Sequence, residues 1–220
     1  MIPFTVCEGP AAALLQANID TDMIIRIERI SKLSRGELGP WAFEMWRYNG
    51  SGEPNPDFIL NREPFTQAPI LIAGANFGCG SSREMAVWAL EEIGVRCIIA
   101  PGFGDIFFSN CLQNGLLPVI LDEATVRQLA QQAEGGRHLR VDLEALRVSC
   151  DGLPDVSFSL AEGARHALLE GLDEIGQTLK YDAQINAFQA RDRLARPWVY
   201  GAAVPNVTSQ YPASPGQNDS

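Results

Sequence analysis

The chain is poor in the residues that build a self-contained metal or disulfide site. It has only two histidines, His138 and His166. Its five cysteines (Cys7, Cys79, Cys97, Cys111, Cys150) are odd in number and scattered, with no C-x-x-C pair. That pattern argues against a disulfide framework and against a metal centre made by this chain alone. Positive charge is also scarce: 17 Lys+Arg stand against 27 Asp+Glu, for a net charge of −10. Such a surface repels phosphate backbones and anionic membranes, so neither nucleic acid nor a membrane is an expected partner. A small anionic substrate still fits, provided a few cations gather locally. No stretch approaches the ~18 uninterrupted apolar residues of a membrane span. The opening MIPFTVCEGP lacks a basic region followed by an apolar run, so no secretory signal is expected. These absences point to a reduced, cytoplasmic protein.

What is present is the material for one core. A length of 220 residues with 46% hydrophobic residues fits a single domain over 1–200. The last twenty residues, 201–220, carry three prolines and end in SPGQNDS, which reads as a flexible tail. Near the N-terminus an acidic turn, Asn18-Ile19-Asp20-Thr21-Asp22, precedes the apolar Met23-Ile24-Ile25. Ser31 to Gly39 reads as a loop, and Trp41 to Tyr48 as an aromatic stretch packed on the body. The middle is the most regular part. Pro69–Ala73, Arg96–Ala100 and Leu117–Leu121 are short continuous apolar runs, as expected of strands buried on both faces. Helices are expected at 85–93 and 105–113 between them, which makes a parallel sheet with right-handed crossovers. Asp122 should cap a further helix to about Ala133. Shorter strands follow at 139–143, 145–150 and 156–160, then helices near 162–170 and 181–191.

The chemistry is concentrated in Gly74-Ala75-Asn76-Phe77-Gly78-Cys79-Gly80-Ser81-Ser82-Arg83-Glu84, where a buried strand ends and a helix begins. In open α/β sheets ligands bind at that edge, and a helix N-terminus favours an anion. Arg83, expected in the first turn, can offer forked donors to a carboxylate. Ser81 and Ser82 have two readings. One of them caps the helix, or a hydroxyl meets the substrate, its alkoxide stabilised by N–H donors and the arginine. Arg83 standing where a last glycine would be disfavours a dinucleotide fingerprint. Cys79 reads as a small buried hydrophobe rather than a ligand or nucleophile. Asp20 and Asp22 either cap local backbone or orient a cationic or histidine partner, and spacing does not choose between these.

Together these segments resemble the small-subunit family of 3-isopropylmalate dehydratase, which is similar to the swivelling C-terminal domain of aconitase. The matching stretches are NIDTDMII (18–25), PNPDFILN (54–61), ILIAGANFGCGSSRE (70–84), IIAPGFGDIFFSNCLQNGLLPV (98–119) and GLDEIGQTLKYDAQINAF (171–188). The resemblance implies an α/β swivelling domain of three layers, β/β/α, with a parallel central sheet, docked on a large subunit. That larger partner would hold a [4Fe–4S] cluster, acting as Lewis acid, through three cysteines of its own. The implied activity is a hydro-lyase that isomerises 2-isopropylmalate to 3-isopropylmalate in leucine biosynthesis, by dehydration and rehydration. By the family pattern Ser81 is the general base, Ser82 holds the substrate and Arg83 binds a carboxylate. Asp22 orients a catalytic histidine from the large subunit. The segment Ile27–Leu38 reads the substrate's variable side group, with Arg35 as a contact.

Two positions depart from the family pattern. Met85 stands where a histidine is usual, and Arg26 where a proline commonly follows the Ile-Ile pair. Both lie near the site in sequence and bear on substrate preference, not on Ser81 or Arg83. A sister hydro-lyase acting on homoaconitate, citramalate or dimethylmalate therefore stays open, as does a non-catalytic binding subunit. Because the cysteines lack ligand spacing, the purified chain should be colourless and hold no stoichiometric iron. Iron analysis that finds a full cluster's complement without any partner would overturn the two-subunit reading.

Overall fold

Two strands that the composition does not announce open the chain: β1 (Val6–Gly9) and β2 (Ala11–Leu14), in a computed structural model that describes residues 1–200. Three one-turn helices follow, α1 (Thr21–Ile24), α2 (Ile27–Ile30) and α3 (Glu44–Arg47). The regular middle runs β3 (Ile70–Ala73), α4 (Glu84–Glu92), β4 (Cys97–Ala100), α5 (Asp105–Asn114), β5 (Leu117–Ile120) and α6 (Glu123–Glu134). Then come β6 (Leu139–Asp142), β7 (Arg147–Cys150), β8 (Val156–Ser157), α7 (Glu162–Glu170), α8 (Glu174–Leu179), α9 (Asp182–Ala195) and α10 (Pro197–Tyr200). The chain divides into two compact units after Gly176, a boundary inside the span 1–200 that reads from sequence as one domain. The expected tail at 201–220 lies outside the described residues.

The first unit is built on a parallel sheet of order β2-β3-β4-β5. Ile70 pairs with Cys97 and Cys97 with Leu117, so the three apolar runs lie side by side in register. All four residues of β3 and of β4 are buried, which is what continuous apolar strands require when both faces are covered. Alternate side chains serve two cores. Leu71, Ala73, Ile98 and Ala100 pack with α1, α4 and α5 residues such as Ile24, Leu90 and Phe107. Ile70, Ile72, Ile99 and Val119 pack with Leu129 of α6 and with Val141 and Val148 of a second sheet. That second sheet is antiparallel, of order β1-β6-β7-β8. Each fully buried Ile or Leu contributes about 1.5–3 kcal/mol of transfer free energy, and the parallel sheet draws on both cores. The expected α/β fold with a parallel central sheet under a second sheet is the one this chain builds.

Local signals place most ends. Asp122 caps α6 as expected, its carboxylate accepting from the Thr125 amide at 3.0 Å. The expected strand 145–150 is shorter, Arg147–Cys150, because Leu146 takes a left-handed φ of 52° and ends the preceding turn. The expected strand 156–160 shrinks to Val156–Ser157. In the second unit, α9 runs to Ala195, beyond the expected 191, and is followed by α10. There Asp192 accepts from Arg196 Nε at 2.6 Å and from the Tyr200 hydroxyl at 2.9 Å. The Arg196 hydrogen bond, ahead of that from Tyr200, holds the Asp192 carboxyl below its ordinary value.

One glycine decides how closely the middle packs. Gly78 has φ +70°, and a Cβ there would lie 2.2 Å from Cγ of the Phe107 ring. Gly102 has nothing within 4 Å of a built Cβ and no positive φ. Gly78→Ala should therefore cost about 1–3 kcal/mol from overpacking and ~1 kcal/mol from backbone strain. At roughly 2–4 °C per kcal/mol for a domain of this size, its melting temperature falls by several degrees. Gly102→Ala should melt within about a degree of the parent. Calorimetry or a thermal melt on both variants checks the contrast, and equal shifts would refute this packing.

Candidate active site

The segment leaving β3 is stitched to neighbours on both sides. On one side the Gly74 amide donates to Leu14 at 3.1 Å, Asn18 to Ala75 at 2.9 Å, Gly78 to Ile19 at 2.7 Å and Thr21 to Cys79 at 2.9 Å. On the other side Phe77 donates to Gly102 at 3.0 Å and Gly104 to Phe77 at 2.9 Å. Beneath it Phe77 meets Phe107 edge-on at 5.5 Å, and Phe103 stacks on Phe107 at 6.5 Å. This apolar floor excludes water from below, so the turn presents its polar residues upward from the carboxyl edge of the parallel sheet.

Ser81 and Ser82 emerge from that turn as exposed residues. Neither caps α4. The cap position is Arg83, in extended conformation (φ −134°, ψ 96°) and without a side-chain capping bond, and the helix starts at Glu84. The capping expectation for the serines is thus corrected, and Arg83 stands before the first turn rather than within it. The physical reason is the stitching itself. The chain must leave the turn in extended form, which carries both hydroxyls away from the amides of the first helical turn. Ser81 is fixed through its backbone instead: the buried Thr21 hydroxyl donates to its carbonyl at 2.9 Å.

The acidic turn 18–22 splits into two roles. Asp20 caps α1, accepting from the Met23 amide at 2.7 Å. Asp22 pairs through Oδ1 with Arg83 Nη1, and the same oxygen accepts from the Ile27 amide at 3.3 Å. Arg83 Nη1 also reaches the Ile25 carbonyl at 3.4 Å. The Arg83 side chain is 15% exposed and Asp22 55%. So the guanidinium is held in place, while one carboxylate oxygen and the remaining guanidinium nitrogens stay available among the described residues. The Glu84 carboxylate takes a share of the helix N-terminal field and is itself bound by Asn114 Nδ2 at 2.8 Å. The anion-receiving capacity of this turn therefore rests on Arg83 more than on the dipole.

Ser81, Ser82, Arg83 and Asp22 are brought together. Arg35 is placed differently: it donates to Glu91 at 2.8 Å and lies over the Trp88 ring at 5.0 Å. It lines a cleft with Glu84 and Glu91. Met85 packs against the helical core, and Arg26 is the cap residue of α2, paired with Glu28 at 3.1 Å. Sequence reasoning missed Thr21, whose only signal was a hydroxyl between two aspartates. It also missed Glu92, which had none. Among the described residues no group of three or more His, Cys, Asp or Glu could hold a metal ion.

Two packed sheets with a cation-bearing, glycine-rich turn at the carboxyl edge of the parallel one define a domain of the aconitase C-terminal type. The family model of the aconitase C-terminal domain matches residues 1–124. A second model, for the C-terminal domain of the 3-isopropylmalate dehydratase small subunit, matches 174–202. The 3-isopropylmalate dehydratase small subunit from Cupriavidus necator is 50% identical over 205 residues, covering 91% of this chain and 99% of that one. The corresponding protein of Rhodospirillum centenum is 45% identical over 203 residues, covering 91% and 100%. A crystal structure of 3-isopropylmalate dehydratase from Methanocaldococcus jannaschii has the same fold, with TM-score 0.61 at 24% identity, over 84% of this chain and 99% of that one. The chain belongs to the 3-isopropylmalate dehydratase small-subunit family.

Thiol chemistry offers a check on the site's exposure. Burial pushes the Cys7 thiol up to about 11, and pushes those of Cys97 and Cys111 well above their ordinary value. Cys150 is also raised by burial. Cys79 departs from its expected burial: held in the turn, it is the one cysteine of the five that is not buried. Alkylation of the native chain near pH 8 should therefore modify Cys79 first and the other four only after unfolding. Peptide mapping that finds Cys97 or Cys111 modified first would contradict the placement of the turn.

Proposed function

We propose that this chain is the small subunit of a hydro-lyase that interconverts 2-isopropylmalate and 3-isopropylmalate in leucine biosynthesis, active only with its large subunit. Family membership supports the reaction class. The observation that carries the site is the exposed Ser81-Ser82-Arg83 run, with its guanidinium held by Asp22. In this reading the large subunit brings the [4Fe–4S] cluster as Lewis acid. This chain's described residues offer no cradle for it, so their part is confined to binding the hydroxy-diacid and moving a proton.

Arg83 receives one substrate carboxylate on Nε and Nη2, because Nη1 is already committed to Asp22 and Ile25. Ser82 adds a hydroxyl donor to the bound diacid. Ser81 Oγ takes the proton from the carbon beside the one that loses its hydroxyl; on rehydration water's hydroxyl adds to that deprotonated carbon, and a proton is given to the carbon that lost the hydroxyl. A serine alkoxide needs nearby positive charge, and Arg83 two residues on supplies it. Asp22 keeps Oδ2 for a histidine from the large subunit. The Ile27–Leu38 segment, anchored beside Asp22, meets the substrate's side group.

Ser81→Ala separates this role from a structural one. The side chain is exposed and caps nothing, so the melting temperature and partner binding should stay close to the parent. Substrate should still bind through Arg83, with near-normal KM. Loss of a positioned general base costs ~10²–10⁴ in rate, so kcat of the reconstituted pair should collapse. Steady-state kinetics beside a thermal melt decide the matter. Retention of most of the kcat removes Ser81 from the chemistry.

A further inference from the structure

Glu92 is the last residue of α4, the end at which a helix dipole disfavours an anion. Among the described residues its carboxylate has no cationic partner. It accepts instead from three backbone amides of one loop: Gly36 at 2.7 Å, Leu38 at 2.6 Å and Gly39 at 2.7 Å. The fit is close, since a Cβ on Gly39 would lie 2.9 Å from the Glu92 Cβ. Next to it Glu91 takes Arg35, which stacks over Trp88 one turn earlier on the helix. Between the loop's ends Arg29 forks onto Glu44 and lies 3.4 Å from the centre of the Trp41 ring. The opposite end of the segment is held where Asp22 receives the Ile27 amide and Arg83 reaches the Ile25 carbonyl. Both ends of Ile27–Leu38 are therefore linked to α4, one through Asp22 to its cap residue Arg83 and the other directly at Glu92.

We propose that Glu92 is a positioning residue for substrate selection: its carboxylate sets where the Ile27–Leu38 loop stands relative to Ser81 and Arg83, and so which side group the pocket accepts. The inference rests on the reading of that loop as the part that meets the side group. Three charge-assisted bonds from amides within one four-residue stretch fix backbone position as well as attachment. A shift of the loop by a fraction of an ångström changes the room for one or two methyl groups, and such differences are worth roughly tenfold or more in discrimination.

The test uses the reconstituted two-subunit enzyme, with 2-isopropylmalate and a hydroxy-diacid that carries methyl in place of isopropyl. Glu92→Gln keeps the volume and removes the charge. Exchange of the Gly36, Leu38 and Gly39 amides should speed up about tenfold as the charge-assisted bonds weaken. The ratio of kcat/KM for the two substrates should move at least about fivefold, through KM, with kcat retained within about threefold. Glu92→Asp, which keeps the charge and withdraws it by one methylene, should fall between the two and serves if the Gln variant folds poorly. Ile27→Ala, which changes an exposed side chain at the start of α2 within that segment, reports separately on whether the segment meets the substrate. If Ile27→Ala moves the ratio while both Glu92 variants leave it fixed, Glu92 is a structural clip and the proposal fails, with the loop reading intact. If neither position moves the ratio, the loop reading falls and takes the proposal with it.

Discussion

The chain between Gly74 and Arg83 has to pass between two other backbone segments, and the rest of the structure is arranged around that passage. Strand β2 and the acidic turn lie along one side of it, Gly102 and Gly104 along the other. Six backbone hydrogen bonds hold it, each worth ~0.5–1.5 kcal/mol net but expensive to leave unmade in a buried place. That is why the links are short and why Gly78 must lie against the Phe107 ring. It is also why the helix cannot begin until Glu84. The proposed role of Ser81 as a base acting on carbon requires a position held to within a fraction of an ångström, and a serine on a loop has that precision only when the loop is over-determined. Here the backbone of Ser81 is fixed from below by Thr21, while its hydroxyl remains exposed.

Helix α4 carries that order outward. At ~1.5 Å per residue its nine residues span roughly 13 Å, a stiff rod whose inner face, Ala86, Val87, Ala89 and Leu90, is buried in the helical core. Arg83 at one end and Glu92 at the other hold the two limits of the same loop. Their charges run against the helix dipole, cation near the N-terminus and anion near the C-terminus. Each would cost a few tenths of a kcal/mol or more if left alone. Each is compensated by a specific partner, Asp22 for the arginine and three amides for the glutamate. Charges placed against the dipole and then satisfied individually are explained by the loop they hold.

How much of this was legible in the sequence depends on whether local chemistry or tertiary pairing decides an element. The runs at 70–73, 97–100 and 117–120 were readable, because short unbroken runs rich in Ile, Val and Leu favour a strand with both faces covered, although Ile120 at the end of the third is exposed. The Asp122 cap was readable for the same local reason. Ala11–Leu14 was not: three alanines and a leucine favour helix, and only pairing with Ile70–Ala73 makes them a strand. Val6–Gly9 likewise becomes a strand by pairing with Leu139–Asp142, far along the chain. At the site, Arg83, Asp22 and the serines stood out as residue types near a strand-to-helix junction. Their actual partners did not. Nothing local says that Asp22 pairs with Arg83 across 61 positions, that Arg35 turns to Glu91, or that Glu92 binds backbone amides. Those contacts depend on where a loop with little regular structure comes to rest.

The exposure of the serines carries the last consequence. A serine hydroxyl in open water is a weak base, because its alkoxide forms only far above neutral pH and water screens the guanidinium that would stabilise it. The same Arg83 charge acts several times more strongly once water is displaced and the local dielectric falls. This chain covers the site from below with Phe77, Phe103 and Phe107 and leaves it open above. Its acidic surface, at net charge −10, also makes Arg83 a local exception that gains from being enclosed. In the proposed two-subunit enzyme, the large partner closes the site and so finishes it electrostatically, besides supplying the cluster. On that proposal Ser81 is positioned in the free chain and becomes a competent base only in the complex.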